Sequence, residues 1–224
     1  MKIIAVLSAL LLCAFPIVPN PQNTNSRSPA EALRSFTSED GVFRFQYSNM
    51  LIRCTGELRE EGQARSWFPD DCQAYVPACG ASWSPLDNTL VCFAYPKTRL
   101  KDSPTFEAGT FSVAEIAQAA TKEACISLSS DLRHLAVDPR GRIAMIHGLR
   151  FQAFELTGAA ASHSSSAYIF RNFHRDRCYE LSVTIVTINP GVFDPGTIKE
   201  FTTQDRNQVY GHLRQALDSF RFLK

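Results

Sequence analysis

In GVFRFQYS, residues 41–48, Phe43, Phe45 and Tyr47 share one face while Arg44 and Gln46 share the other. That two-residue period predicts a half-buried strand. TLVCFAYP (89–96) and TFEAGTFSV (105–113) are predicted as a second and a third strand. Beyond them the period lengthens. Val113, Ile116, Ala117, Ala120, Ala124 and Leu128 fall on one stripe, which predicts a helix over 113–128. Three strands follow, over 144–158, 166–175 and 177–188. In the first, apolar parity switches between Ala153 and Phe154, the mark of a bulge or of burial on both faces. In the last, Tyr179, Leu181, Val183 and Ile185 oppose Glu180, Ser182 and Thr184.

The segments between these elements have turn chemistry. VDPRGR (137–142) and HRDR (174–177) read as turns, and GAAASHSSS (158–166) as a small-residue hairpin loop. Thr197 with Glu200 has the spacing of a capping box. It predicts a final helix reaching about Leu217, with Val209, Leu213, Ala216 and Leu217 on its inner face. Sequential strands joined by short connections predict an α+β fold, with a mainly antiparallel sheet of about six strands covered by helices. No internal repeat and no second domain are apparent.

Two stretches lack this periodicity. The N-terminus has one charge, Lys2, then an apolar run from Ile3 to Phe15 broken only by Ser8, then Pro16 and Pro19. An apolar run of about 13 residues is too short to span a bilayer and reads as a signal peptide, assigned to residues 1–26. Cys13 is an alternative lipid acceptor, although Leu12 rather than a small residue precedes it. Residues 27–38 read as a polar linker, with one helical turn at Ala30–Leu33. A single domain then occupies 39–224, interrupted after its first strand by a cysteine-rich insertion over 54–88.

The cysteines give the compartment. Of seven, Cys13 lies in the apolar leader, leaving Cys54, Cys72, Cys79, Cys92, Cys125 and Cys178. An even set in an exported chain reads as disulfides. Neither the short paired spacing of a zinc site nor a C-x-x-C redox pair is present. Cys125 and Cys178 stand apart from the rest and are paired with each other. The other four allow Cys72–Cys79 with Cys54–Cys92, or Cys54–Cys72 with Cys79–Cys92. No metal site and no cofactor are expected.

Charge excludes some partners. The 224 residues carry 23 Lys and Arg against 22 Asp and Glu, a formal net charge of +1. Such balance argues against nucleic acid and against a polybasic membrane patch. No transmembrane segment is expected in the mature chain.

EDGVFRFQYSNML near the start, GLRFQAFELTG followed by AYIFRNF and CYELSVTIVT, and the closing LRQALDSFRF resemble the PsbP-like fold. This is the fold of the photosystem II subunit PsbP, of the Mog-type nuclear-import factors and of exported bacterial relatives. The resemblance covers about residues 39–222 and breaks at the insertion. It implies an α-β-α sandwich around an antiparallel sheet, in a protein that binds partners rather than catalyses. It carries over no functional residue.

The candidate chemistry is sparse. SHSSSAY (162–168) sets His163 among serines, but no G-x-S-x-G elbow accompanies it. NFHRDR (172–177) gathers His174, Arg175, Asp176 and Arg177, which suits a charged turn better than an anion site. The stretch 66–83 places Trp67, Tyr75 and Trp83 on a stapled loop, where rigid aromatics suit either a small satellite core packing the insertion onto the sheet or a binding surface. The reading is a secreted or periplasmic, non-catalytic binding or accessory protein for an unknown protein or small molecule. A small exported hydrolase using His163 or His174 is the alternative.

Overall fold

A computed structural model of the chain describes residues 32–57, 66–68, 88–100, 102–160 and 162–223. They belong to one compact unit, Glu31–Lys224. The strands are β1 (Leu33–Thr37), β2 (Phe43–Ser48), β3 (Ile52–Glu57), β4 (Ser66–Phe68), β5 (Asn88–Tyr95) and β6 (Phe106–Glu115). Two short helices follow, α1 (Lys122–Cys125) and α2 (Ser130–Arg133). After them come β7 (Arg142–Ile146), β8 (Leu149–Ala160), β9 (His163–His174) and β10 (Arg177–Ile188), then α3 (Thr203–Asp218) and β11 (Arg221–Phe222).

The fold is α+β and its strand pairs are antiparallel. Seven strands form the main sheet in the order β3-β5-β6-β10-β9-β8-β7, and β4 adds to the β3 edge. A second, three-stranded sheet has the order β1-β2-β11. This exceeds the six strands expected, because five short strands lack a legible pattern of their own. β1 occupies the predicted linker, and Leu33 starts a strand rather than ending a helical turn. β3 covers residues 52–57, so the chain is still paired to the sheet where the insertion was expected to begin at 54.

One face of the main sheet carries the aromatic core. Phe43 and Phe45 from β2 point into it, Phe45 lying 5.0 Å from Phe111 and 5.4 Å from Phe93 between ring centroids. Val209, Leu213, Ala216 and Leu217 of α3 are buried there, as the helical stripe predicts. Gly109 of β6 lets the helix come close, since a Cβ at this position would lie 2.6 Å from Val209 Cγ1. The opposite face of β8 and β9 is covered by Leu128 and Leu132, which pack on Phe154, Leu156, Ala167 and Ile169.

Several expectations are corrected. The helix over 113–128 does not form. Val113, Ala114 and Glu115 extend β6 and pair with β10, and the Ile116 N–H then donates to the Cys178 carbonyl at 2.9 Å. The disulfide Cys125–Cys178 holds the next turn against the start of β10, and α1 runs for only four residues. Pairing with a buried neighbour outweighs an alanine-rich stripe. The strand over 144–158 is a hairpin, turned at His147 (φ 46°) and Gly148 (φ 79°). Both residues adopt the left-handed region that a two-residue hairpin turn requires. Ala153 and Phe154 are both buried, which resolves the parity switch as burial on both faces. The small-residue loop over 158–166 is largely strand, since β8 reaches Ala160 and β9 starts at His163.

The capping box also lies elsewhere. Thr197 donates to the Asp194 carbonyl within a turn. The Phe201 N–H is held by Thr105 Oγ1 at 2.8 Å, and its ring packs 5.1 Å from Phe106. The chain therefore stays non-helical to Thr202, which caps α3 reciprocally with Asp205. The carboxyl of Asp205 is held below its ordinary range by the hydrogen bonds from the Thr202 backbone and side chain.

Candidate anion-binding groove

The FRF alternation occurs twice, at 43–45 and at 220–222. In each copy the phenylalanines turn inward. Phe43, Phe45 and Phe220 are buried in the core, and Phe220 lies 5.5 Å from Phe43. Their arginines are therefore left on the outer face of the small sheet. β11 pairs with β2 so that Arg221 stands directly opposite Arg44.

These two arginines line a cavity of about 750 Å³ at the C-terminal half of α3. Gln46 and Thr37 extend the same sheet face, Gly211 and Arg214 come from α3, and His147 comes from the β7–β8 turn. The site is anchored at Ser219, just after α3. Its hydroxyl donates to the Gln46 carbonyl at 2.9 Å and accepts from the Gln46 N–H at 2.8 Å.

Arg214 also lines a second cavity of about 470 Å³ beside the N-terminal half of α3. There Arg206 Nη1 donates to Ser166 Oγ at 3.1 Å, and its guanidinium lies 5.7 Å from the centre of the Phe201 ring. Tyr168 donates to Glu155 Oε1 at 3.4 Å and meets the Tyr210 ring edge-on at 5.7 Å. Burial, aided by the Glu155 charge, raises the Tyr168 phenol above its usual range, so it remains a donor.

Five arginines (44, 142, 206, 214 and 221) face two carboxylates, Glu155 and Asp218, across the two cavities. Among the described residues, Arg214 alone of the five has an ion-pair partner, Asp218 at 3.1 Å. That hydrogen bond raises the Arg214 guanidinium further above its ordinary value. In a chain with net charge near zero, the groove is a local excess of positive charge. Its forked donors suit phosphate or carboxylate oxygens.

The residues singled out in the sequence lie elsewhere. Ser162 Oγ is 3.2 Å from His163 Nδ1, a contact between chain neighbours. His174, at the opposite end of β9, stacks on Phe222 with ring centroids 3.9 Å apart and rings 7° from parallel. Burial, and then the neighbouring Arg175, lowers its pKa. Arg175 and Asp176 form the turn itself, at φ 50° and 59°. Arg177 reaches Glu115 at 3.6 Å and Asp40 at 3.8 Å. The NFHRDR cluster is thus dispersed into a charged turn.

Trp67 lies in β4, opposite Gly56 of β3 in register. Tyr75, Trp83, Cys72 and Cys79 lie outside the described residues, as do Cys13 and residues 1–26. Cys125 and Cys178 are joined as expected. Cys54 and Cys92 are both disulfide-bonded and stand opposite each other in register, while the choice between the two pairing schemes lies outside the described residues. The disulfide suits a non-reducing compartment. Among the described residues no helix is long and apolar enough to cross a membrane.

No protein-family model matches the chain, and no curated protein matches it. Among solved structures it is similar to the solution structure of the cyanobacterial PsbP protein CyanoP from Synechocystis sp. PCC 6803. That likeness has 12% identity and a TM-score of 0.41, over 91% of this chain and 100% of the other. It is also similar to a protein of known crystal structure from Bacteroides thetaiotaomicron VPI-5482. Here the identity is 10% and the TM-score 0.40, over 85% of this chain and 48% of the other. This chain therefore spans about half the length of the Bacteroides protein. Both likenesses are distant and concern the fold.

Proposed function

We propose that this chain is an exported, non-catalytic binding or accessory protein of the cell envelope, and that it holds an anionic ligand in the groove beside α3. A PsbP-like relationship, carried by the residue pattern, belongs to the same reading. The observation that carries the ligand class is the placement of Arg221 opposite Arg44 at the wall of a cavity, with no ion-pair partner for either among the described residues, the cavity's carboxylate, Asp218, being paired with Arg214. The Cys125–Cys178 disulfide supports the compartment.

The test is calorimetric titration of the disulfide-intact protein with inorganic phosphate, sulfate and citrate, repeated with the R44Q/R221Q variant. Saturable binding that weakens with added salt and disappears in the variant supports the reading. No binding of any of the three, or binding unchanged in the variant, overturns it.

The hydrolase reading rests on the Ser162–His163 contact. It predicts turnover of p-nitrophenyl acetate that is lost in the Ser162→Ala variant. Equal turnover in the two proteins would end it.

A further inference from the structure

The middle of α3 contains a glycine, and the fold does not explain it. Gly211 is exposed, and a Cβ built there meets no atom within 4 Å. Gly109 is different, because the fold leaves no room for a side chain there. Glycine is the weakest helix former after proline, since it loses the most backbone freedom on folding. α3 therefore forgoes stability at a position where packing demands nothing. That position lies in the wall of the larger cavity, on the same helix as Arg214 and across from Arg44 and Arg221.

We propose, building on the anion-binding reading, that this cavity takes one sugar-sized ligand with a single anionic group. Arg44 and Arg221 hold the phosphate or carboxylate head, and the hydroxyl-rich body lies against the bare backbone of α3 at Gly211. The volume of about 750 Å³ fits a small molecule rather than a polymer. Beyond the arginines, the wall offers the hydroxyls of Ser35 and Thr37 and the amides of Gln46 and Gln215. Such groups pair with hydroxyls in either direction. The absence of a side chain at Gly211 is what lets a ring approach the helix closely.

Calorimetric titration with glucose 6-phosphate, glucuronate and inorganic phosphate tests this, using the wild type, G211A, G211L and R44Q/R221Q. G211A and G211L are expected to unfold at higher temperature than the wild type, which shows that the fold is intact. G211L is expected to lose about tenfold or more of its affinity for the sugar ligand while keeping inorganic phosphate within about twofold. The stronger of the two sugar ligands then tells a phosphate ester from a sugar acid. Inorganic phosphate binding as tightly as both sugars overturns the inference. So does G211L binding the sugar ligand as the wild type does, while R44Q/R221Q still abolishes phosphate binding; the anion-binding reading then stands alone. No binding of any probe overturns both.

Discussion

Arg44 on β2 and Arg221 on β11 face each other directly across an antiparallel pair. Two like charges in such positions repel, and the cost relative to a neutral pair is roughly 0.2–1 kcal/mol. The small sheet is therefore less stable than its geometry allows. Arg221→Gln is expected to raise the urea midpoint of the ligand-free protein slightly while removing anion binding. Stability and binding moving in opposite directions is the signature sought. A variant that loses both identifies Arg221 as a structural residue.

Arg171 of β9 and Glu180 of β10 are also cross-strand partners, but of opposite sign. Arg171 Nε donates to Glu180 Oε2 at 2.8 Å, with both side chains 5% exposed, and its Nη1 donates to the Ser127 carbonyl at 2.6 Å. The pair thus ties the loop after α1 to the sheet. Removing one partner strands a buried charge and typically costs about 3–5 kcal/mol. Glu180→Leu is expected to lower stability by that amount in urea unfolding, and R171M/E180L to recover most of it. An additive double variant would show that the two charges are not coupled.

Gly109 sets the distance between α3 and β6. Gly109→Ala places a methyl 2.6 Å from Val209 Cγ1 and is expected to cost about 1–3 kcal/mol through overpacking. Val209→Ala in the same chain vacates that space and should return part of the loss. Thermal unfolding of the three variants measures both effects.

The Cys125–Cys178 bond closes a loop with a sequence separation of 53. In the chain-entropy model, losing such a closure costs about 4 kcal/mol. C125A/C178A is expected to show this loss in urea unfolding together with a raised m-value, because the unfolded chain without the cross-link exposes more surface. A loss at unchanged m-value would place the effect in the folded protein instead.

His174 makes stability depend on pH. Its Nε2 is buried without a hydrogen-bond partner among the described residues, and burial and Arg175 disfavour the imidazolium in the folded protein. The unfolded chain therefore takes up a proton first, at the ordinary imidazole value of 6.5. The stabilisation is complete above that value and is lost as pH falls below it, until the folded form also protonates. Thermal midpoints measured downward from neutral pH are expected to fall less steeply in His174→Phe than in the wild type. Parallel curves would assign the acid sensitivity to other groups.

The alternation in 41–48 and the helical stripe Val209, Leu213, Ala216, Leu217 were legible because each segment buries one face, whereas 177–188 alternates apolar and polar residues although both of its faces are buried. Burial of one face imprints its own period on the residues. Segment 113–128 misled because half of its stripe is alanine, and Ala117, Ala120 and Ala124 are all exposed. Alanine fits a helix, a turn or a strand end, and the partner decides among them. β1, β7 and β11 are too short to carry a period, and pairing with a neighbour creates them.

The sequence by itself determined which faces of 41–48 and of the final helix must be hidden, that two cysteines standing apart would meet, and that Arg44 would point away from the core. These follow from local period and composition, which need no knowledge of distant neighbours. Only the tertiary structure brought Arg44, Arg214 and Arg221 to one cavity beside Gly211. β11 returns to β2 across nearly the whole chain, and α3 docks where Gly109 admits it. A groove is a relation among surfaces of distant segments, and no segment encodes it alone.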